Sequence, residues 1–466
     1  MGSFGIGQIA EGVTYATFHG FVIYYYQQVL EVSGALTGLA LGIALVFDAV
    51  TDPLAGVMSD RLNSRWGRRH PFMLTAAVPL AITFWLLFNP PAGMNETGYF
   101  VWLLVFAVLT RASQTFYHVP HLALGAEMAQ DYRQRSTVFA FSTVMSIGAI
   151  GLTSLVAYWV FFPTTPEFNP GLLNPDAYRG FSSFFAILIV LAIVLCCFGT
   201  KGEIAHLRKT GETATLSLVS IFDQFRSVFR NPSFRAIFFG MFLSTLAISV
   251  EAVLTPFMGV HFWGLTTEKL GFLPLASMIG LFCGFPLVPL FTRLFDKKYS
   301  LIFPALFISI NTNVFVCLRL LEVPWFPDND SELMLPLLTL RYFLSGLALP
   351  LVFATLNSMF GDIADEIELT TGQRREGVIF ATRSFTSKAT AAVGTLIGGI
   401  VLDVISFPSQ AAAGSIAEDI VWKLGLTEGP LTSIFTIIGV LFYAGYKIDQ
   451  SRHREIRSTI AAKQSS

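Results

Sequence analysis

Two carboxylates, Asp48 and Asp52, stand inside the otherwise apolar run FDAVTDPLAGVMSDRLNSRWGRRHP. Four positions apart on a helix, they share one face, and paired carboxylate oxygens are hard ligands for a small cation. Charge at such depth in a membrane helix is as a rule kept for function. The plainer alternative is a pair of structural salt-bridge partners. Arg111, Thr115 and His118 follow at i, i+4 and i+7, again one helical face, and Arg383 and Lys388 fall on a later segment. Such cations suit an anionic substrate group, since guanidinium forks match carboxylate and phosphate. Alternatively Arg111 and Arg341 pair with buried carboxylates such as Glu251, and His118 is a hydrogen-bonded structural histidine.

These residues need a membrane-spanning frame, and composition supplies one. The chain of 466 residues is 53% hydrophobic and only 13% charged, with a mean hydropathy of +0.61, where a soluble chain carries about 25% charged residues. Apolar stretches of roughly 20 residues, enough to cross a bilayer, recur twelve times. They lie near 5–29, 35–58, 72–91, 98–122, 137–160, 181–200, 236–258, 270–291, 301–320, 336–360, 378–404 and 429–447. Glu11 interrupts the first, and no basic segment precedes it, so it does not read as a cleavable signal.

Basic residues accumulate in cytoplasmic loops. With the N-terminus inside, the expected cytoplasmic segments hold 22 of the 30 Lys and Arg, and the outside segments hold Arg179, Lys269 and Lys423. Both termini are therefore expected in the cytoplasm. The polar stretch 201–235 divides the spans six and six, the layout of a secondary transporter with internal repeats. The expected organisation is an N-terminal bundle over 1–200, a central loop over 201–235, a C-terminal bundle over 236–447 and a tail over 448–466. Segments near 161–180 and 405–428 read as surface loops. Cys196, Cys197, Cys283 and Cys317 all fall in spans and read as buried structural thiols. The chain carries no H-E-x-x-H, G-x-S-x-G or Walker Gly-Lys-Ser/Thr segment, so metalloprotease, serine hydrolase and ATP-driven pump are unsupported.

The run DAVTDPLAGVMSDRLNSRWGRRHPFM resembles the helix II and loop II-III signature of the glycoside-pentoside-hexuronide:cation symporters, the melibiose-permease-like branch of the major facilitator superfamily. YHVPHLALGAEMAQDYRQRS and FGDIADEIELTTGQRREGVIFATRSFTSKATAAVG are similar to two later signatures of that family, in the same order. The resemblance covers nearly the whole chain and implies an all-α integral membrane protein of twelve helices in two pseudo-symmetric six-helix bundles.

By that resemblance, Asp48 and Asp52 form the coupling-cation site, Thr51 takes a position that is Asn in the melibiose permease, and Thr115 supplies a hydroxyl. Lys388 matches a lysine placed near the aspartates, and would balance their charge while the cation is absent. A snorkelling lysine is its plainer alternative. The acidic residues that hold sugar hydroxyls in melibiose-type permeases match Gly12 and His118 here, with Glu11 one residue off, and a helix V arginine matches Thr143. A galactoside site of the melibiose type is thus not expected. The candidate substrate set is Glu11, Tyr25, Arg111, His118, His121, Glu251 and Arg383. Gly56, Asp60, Arg65, Arg68 and Arg69 resemble the superfamily's gating motif, with Asp362, Asp365, Arg374 and Arg375 as a counterpart in the second half. A purely topogenic role is the alternative. The spacing of Gly394 and Gly398 reads as helix packing.

The function so implied is symport of a sugar or glycoside-like solute, with an anionic group on it, driven by Na+ or H+ through alternating access. A sodium-coupled lysolipid symporter of the same branch is the runner-up, and a non-transporting sensor is the alternative from another class. No cofactor beyond the coupling ion and no nucleic acid is expected. The expected setting is a monomer, multi-pass in the cell membrane, meeting bilayer, solute and cation.

Overall fold

The computed structural model describes residues 2–62, 64–128, 132–206, 226, 228–371 and 376–465. We number the helices of eight or more residues α1 (Gly2–Gly20), α2 (Gly34–Arg61), α3 (His70–Leu87), α4 (Glu96–Met128), α5 (Tyr132–Val156), α6 (Ala177–Gly199), α7 (Pro232–Phe257), α8 (Phe272–Gly284), α9 (Leu287–Leu294), α10 (Lys297–Leu320), α11 (Met334–Thr371), α12 (Glu376–Val404), α13 (Glu418–Leu426), α14 (Thr432–Ala444) and α15 (Gln450–Ser465). Among the described residues there is no strand. Ten segments among the described residues are long and apolar enough to span a membrane, and an eleventh is the pair spanning 267–294, bent by 57°. The first expected span is the segment 2–29, where α1 stops at Gly20 and continues through a short turn into the π-helical Tyr25–Val29.

Helices satisfy every backbone group internally, which the hydrocarbon demands. Their lipid side is visible in α6, where Phe184, Ile187, Leu191, Leu195 and Phe198 are exposed along one flank. Two corrections to the expected layout follow. Cys283 is exposed and Cys317 half-buried rather than buried, and the expected loop 405–428 contains the helix α13, whose Asp419 and Lys423 pair at i, i+4.

Contacts divide the chain into two compact units. Unit 1 comprises Met1–Thr213, Ala252–Leu275 and Thr395–Leu424, and unit 2 comprises Ala214–Glu251, Ala276–Gly394 and Gly425–Ser466. In unit 1 an aromatic cluster anchors α1 and α6: Tyr25 lies 4.2 Å from Tyr178, and Phe21 and Phe162 lie 5.1 and 5.2 Å from Phe181. The N-terminus of α2 abuts the end of α12. There, a Cβ on Gly38 would lie 2.8 Å from the Thr395 carbonyl oxygen, so only glycine permits this approach. Asp403 caps α2 by accepting from the backbone N–H groups of Gly34 (2.7 Å) and Ala35 (2.8 Å), beside the N-cap hydroxyl of Ser33.

Unit 2 has its own core, in which Phe234, Ile237, Leu301, Met359, Phe360, Ile363 and Tyr443 are fully buried. The expected tail belongs to it. Ile448 and Ile456, the latter on α15, bury in the same core.

Removing the α2 cap by Asp403→Ala costs about 1 kcal/mol, the usual worth of such a cap. The apparent unfolding midpoint of the purified protein should fall accordingly, whereas an exposed control such as Glu418→Ala should leave it in place.

Candidate functional site

Asp48 and Asp52 project from α2 of unit 1 toward α4. Asp48 is 2% exposed, which no carboxylate tolerates without compensation. Two groups of α4 supply it. Arg111 Nη2 forms an ion pair with Asp48 Oδ2, and the Thr115 hydroxyl donates to Asp48 Oδ1. Arg111 and Thr115 are one helical turn apart, which is why one face of α4 reaches both oxygens of a single carboxylate.

Thr115 Oγ1 also lies 3.2 Å from Asp52 Oδ1. A hydroxyl has one hydrogen, so it serves one carboxylate at a time and links the two. The Thr51 hydroxyl donates to the Asp48 backbone carbonyl at 3.2 Å. Three of the four expected cation ligands, Asp48, Asp52 and Thr115, thus gather in one place with Arg111, while the Thr51 hydroxyl is bonded to its own helix backbone. A guanidinium is a permanent cation, and it holds the carboxylate that a coupling ion would use. An ion binding Asp48 through Oδ2 would compete with Arg111 for that oxygen.

The candidate substrate residues separate into distinct environments. Glu11 Oε2 and His118 Nε2 pair at 3.0 Å between α1 and α4, with 30% and 26% of their side chains exposed, so this dyad faces open space. His121, by contrast, is fully buried. Its Nε2 donates to the Phe4 carbonyl at 2.9 Å, its Nδ1 accepts from Gln8 Nε2 at 3.3 Å, and its ring stacks on Phe4 at 4.2 Å. With both nitrogens used, His121 fastens α1 to α4 and offers nothing to a solute. Tyr25 likewise packs in the aromatic cluster. Arg383 and Lys388 are half-buried on α12 in unit 2, and Glu251 lies on α7 of unit 2, in electrostatic range of Arg341 and Glu428.

The residues expected to gate build a network at the other end of α2. Gly67, at φ +74°, turns the loop between α2 and α3 and is held by Ser64. Arg69 then donates to Ser59 Oγ (2.5 Å), pairs with Asp60 (2.5 Å) and forks onto Glu127 Oε1 through Nε and Nη2 (3.1 and 2.8 Å). Arg68 joins at 2.8 Å to the same oxygen. Three helices, α2, α3 and α4, are thereby tied at one point. Arg65 is exposed and stands outside this network. A Cβ at Gly56 would sit 3.7 Å from Val119, an ordinary contact, so packing does not require glycine there. Glu127 was absent from the sequence expectations, although an acid closing the apolar fourth span was the available signal.

Among the described residues of unit 2, Asp362 and Asp365 meet Lys297, Tyr446, His453 and Arg457. Lys297 Nζ reaches both Asp362 oxygens (2.8 and 2.7 Å), and the Tyr446 phenol donates to the same carboxylate at 3.0 Å. Burial first, then the neighbouring Asp362, pushes ionisation of that phenol far up, so it remains a donor. From α15, His453 lies 3.3 Å from Asp362, and Arg457 3.5 Å from Asp365. Arg374 and Arg375 lie outside the described residues.

The profile of one protein family, described as MFS/sugar transport protein, matches residues 3–450. Among curated relatives, a putative glycoside/cation symporter of Escherichia coli is 24% identical, with 97% of this chain and 90% of the relative covered. A sodium-dependent lysophosphatidylcholine symporter of Danio rerio is 22% identical over 96% of this chain and 85% of its own. A crystal structure of a bacterial homolog of the human lysosomal transporter Spinster, inward-facing and unoccupied, superposes with a TM-score of 0.65 at 14% identity, covering 95% of this chain and 94% of that one. At that identity the likeness establishes the fold.

The Arg111–Asp48 pair predicts a specific thermodynamic pattern. Breaking a buried pair from one side costs about 3–5 kcal/mol, because the other charge is left uncompensated. Asp48→Asn and Arg111→Gln should each lower the apparent unfolding midpoint, and the double variant should recover most of the loss. Additive losses would separate the two residues.

Proposed function

Because the chain belongs to the MFS/sugar transport protein family, we propose that it is a cation-coupled symporter of a hydroxyl-rich glycoside or sugar, with its coupling ion taken at Asp48, Asp52, Thr51 and Thr115. Transport by alternating access in a multi-pass membrane protein is the family's mode. The single observation that carries the reading is the convergence of both carboxylates and the Thr115 hydroxyl in unit 1. In it, Arg111 acts as a tethered counter-ion. It neutralises Asp48 while the ion is absent, and its withdrawal accompanies ion binding.

The placement of the cations also bears on the solute. Arg111 is engaged by Asp48, and His118 by Glu11, so two groups offered for an anion are already compensated within the unit. A partly exposed carboxylate beside an imidazole is instead a donor and acceptor set fit for hydroxyls. The name of the Escherichia coli relative supports a glycoside. Arg383 and Lys388 are the remaining candidates for an acidic group, which keeps uronates among the solutes to compare. A lysolipid is the second reading, favoured by the Danio rerio relative. Both termini on the cytoplasmic side, a location in the cell membrane, bundles over 1–200 and 236–447, and a functional monomer complete the proposal. The distribution of Lys and Arg supports the orientation.

Uptake into proteoliposomes separates these readings when neutral glycosides, uronates and lysolipids are each offered under an imposed Na+ or H+ gradient. A neutral glycoside accumulated under one of the gradients is expected. Accumulation of the lysolipid alone would replace it. Asp52→Asn should abolish gradient-driven accumulation and retain solute exchange, since Asp52 can be altered without stranding Arg111. Accumulation at the parent level would refute the cation site.

Lys388→Ile should impair gradient-driven uptake more than equilibrium solute binding. A loss of binding alone would move Lys388 to the solute site.

A further inference from the structure

Within unit 2, a buried guanidinium and carboxylate pair inside the membrane-spanning helices, with a second carboxylate in electrostatic range. Arg341 on α11 is 5% exposed, and Glu428, in the π-helical turn Thr427–Leu431 between α13 and α14, is 2% exposed. Arg341 Nη2 lies 3.6 Å from Glu428 Oε1, an ion pair slightly too long for a direct hydrogen bond. Arg341 Nη1 and Glu428 Oε2 are buried without a hydrogen-bond partner among the described residues. Glu251 on α7 interacts electrostatically with both.

From α10, Asn311 Nδ2 donates to the Arg341 carbonyl (2.8 Å) and to Ser345 Oγ (2.9 Å), and Asn313 donates to Ser433 on α14. Arg319 on α10 pairs with the exposed Asp328. The Tyr342 ring lies 5.1 Å from the Arg341 guanidinium. On α12, which packs against α7 through Gly394 and Ser249, the charged residues between 378 and 394 are Arg383 and Lys388, with Glu376 and Asp403 at the two ends of the helix.

We propose that Glu251, Arg341 and Glu428 form a binding site for one proton, held by the two carboxyl groups opposite the guanidinium. With both glutamates ionised the triad carries a net negative charge where desolvation is costly. One proton leaves a neutral carboxylic acid beside a compensated pair, and two interacting carboxylates then titrate as a unit. A metal ion would need several converging oxygens. Here a guanidinium with an unused N–H stands beside the carboxylates, and that environment suits a proton.

Infrared difference spectra of the reconstituted full-length protein, recorded between about pH 6.5 and 9.5, test this directly, because ordinary carboxyls near pKa 4 stay ionised throughout that window. The parent should lose one carboxylic-acid carbonyl band on going alkaline. Glu251→Gln and Glu428→Gln should each abolish that band, since either leaves a single carboxylate paired with Arg341. The Asp48→Asn/Asp52→Asn double variant should keep it, so the outcome is independent of whether the cation site in unit 1 is correct. Absence of the band in the parent would overturn the proposal. So would its persistence in either glutamine variant with native elution, or its removal by Na+ at constant pH. Should both glutamine variants fail to fold, Arg341→Met provides the second measure: without the guanidinium the carbonyl intensity should roughly double, and an unchanged band would count against the triad.

Discussion

The cost of an uncompensated charge in a low-dielectric interior organises this protein more than any other single constraint. Asp48 is the plainest case. It sits on a helix whose other faces are apolar, and it survives there because Arg111 and Thr115 on the neighbouring helix occupy both of its oxygens. The helix spacing between α2 and α4, the choice of residues one turn apart on α4, and the availability of Asp52 beside the same hydroxyl all follow from that requirement. Arg69 repeats the solution at the end of α2, where one guanidinium serves Ser59, Asp60 and Glu127.

Symport asks for something such pairs provide. A permanent internal cation and a diffusible one compete for the same carboxylate oxygens. A site that alternates between them has two occupancies of equal charge and different geometry, and a transport cycle needs two such states. The energetic difference between them has to remain small for the cycle to turn over. Coulomb attraction to the incoming ion offsets the loss of the guanidinium, which keeps it small.

The sequence made some of this legible and hid the rest for identifiable reasons. Helix positions were readable because twenty apolar residues leave little alternative in a bilayer, and the clustering of Asp48, Asp52 and Thr115 followed from spacing and family resemblance. Arg111 was readable as a functional residue, but not its partner, because pairing between helices is set by rotation about each axis. His121 looked like a substrate ligand beside His118, and the difference of about 60° in direction between positions three apart on a helix buries it against Phe4 instead. Glu127 and Glu428 went unremarked because each lies near the margin of an apolar run, where an acid reads as loop. The π-helical turns at 25–29 and 427–431 have no period of their own in the sequence, so the placement of Glu428 beside Arg341 emerges only from the folded chain.

The helix α15 has a practical bearing. Ile448 and Ile456 seat the segment after α14 in the core of unit 2, and His453 and Arg457 clasp acidic residues of α11. A fluorophore carried on the solvent side of this helix, for instance at the exposed Ser458, would therefore move as a rigid attachment of unit 2. Paired with a dye on unit 1, it would turn rearrangement during turnover into a distance signal without a label touching any membrane-embedded residue.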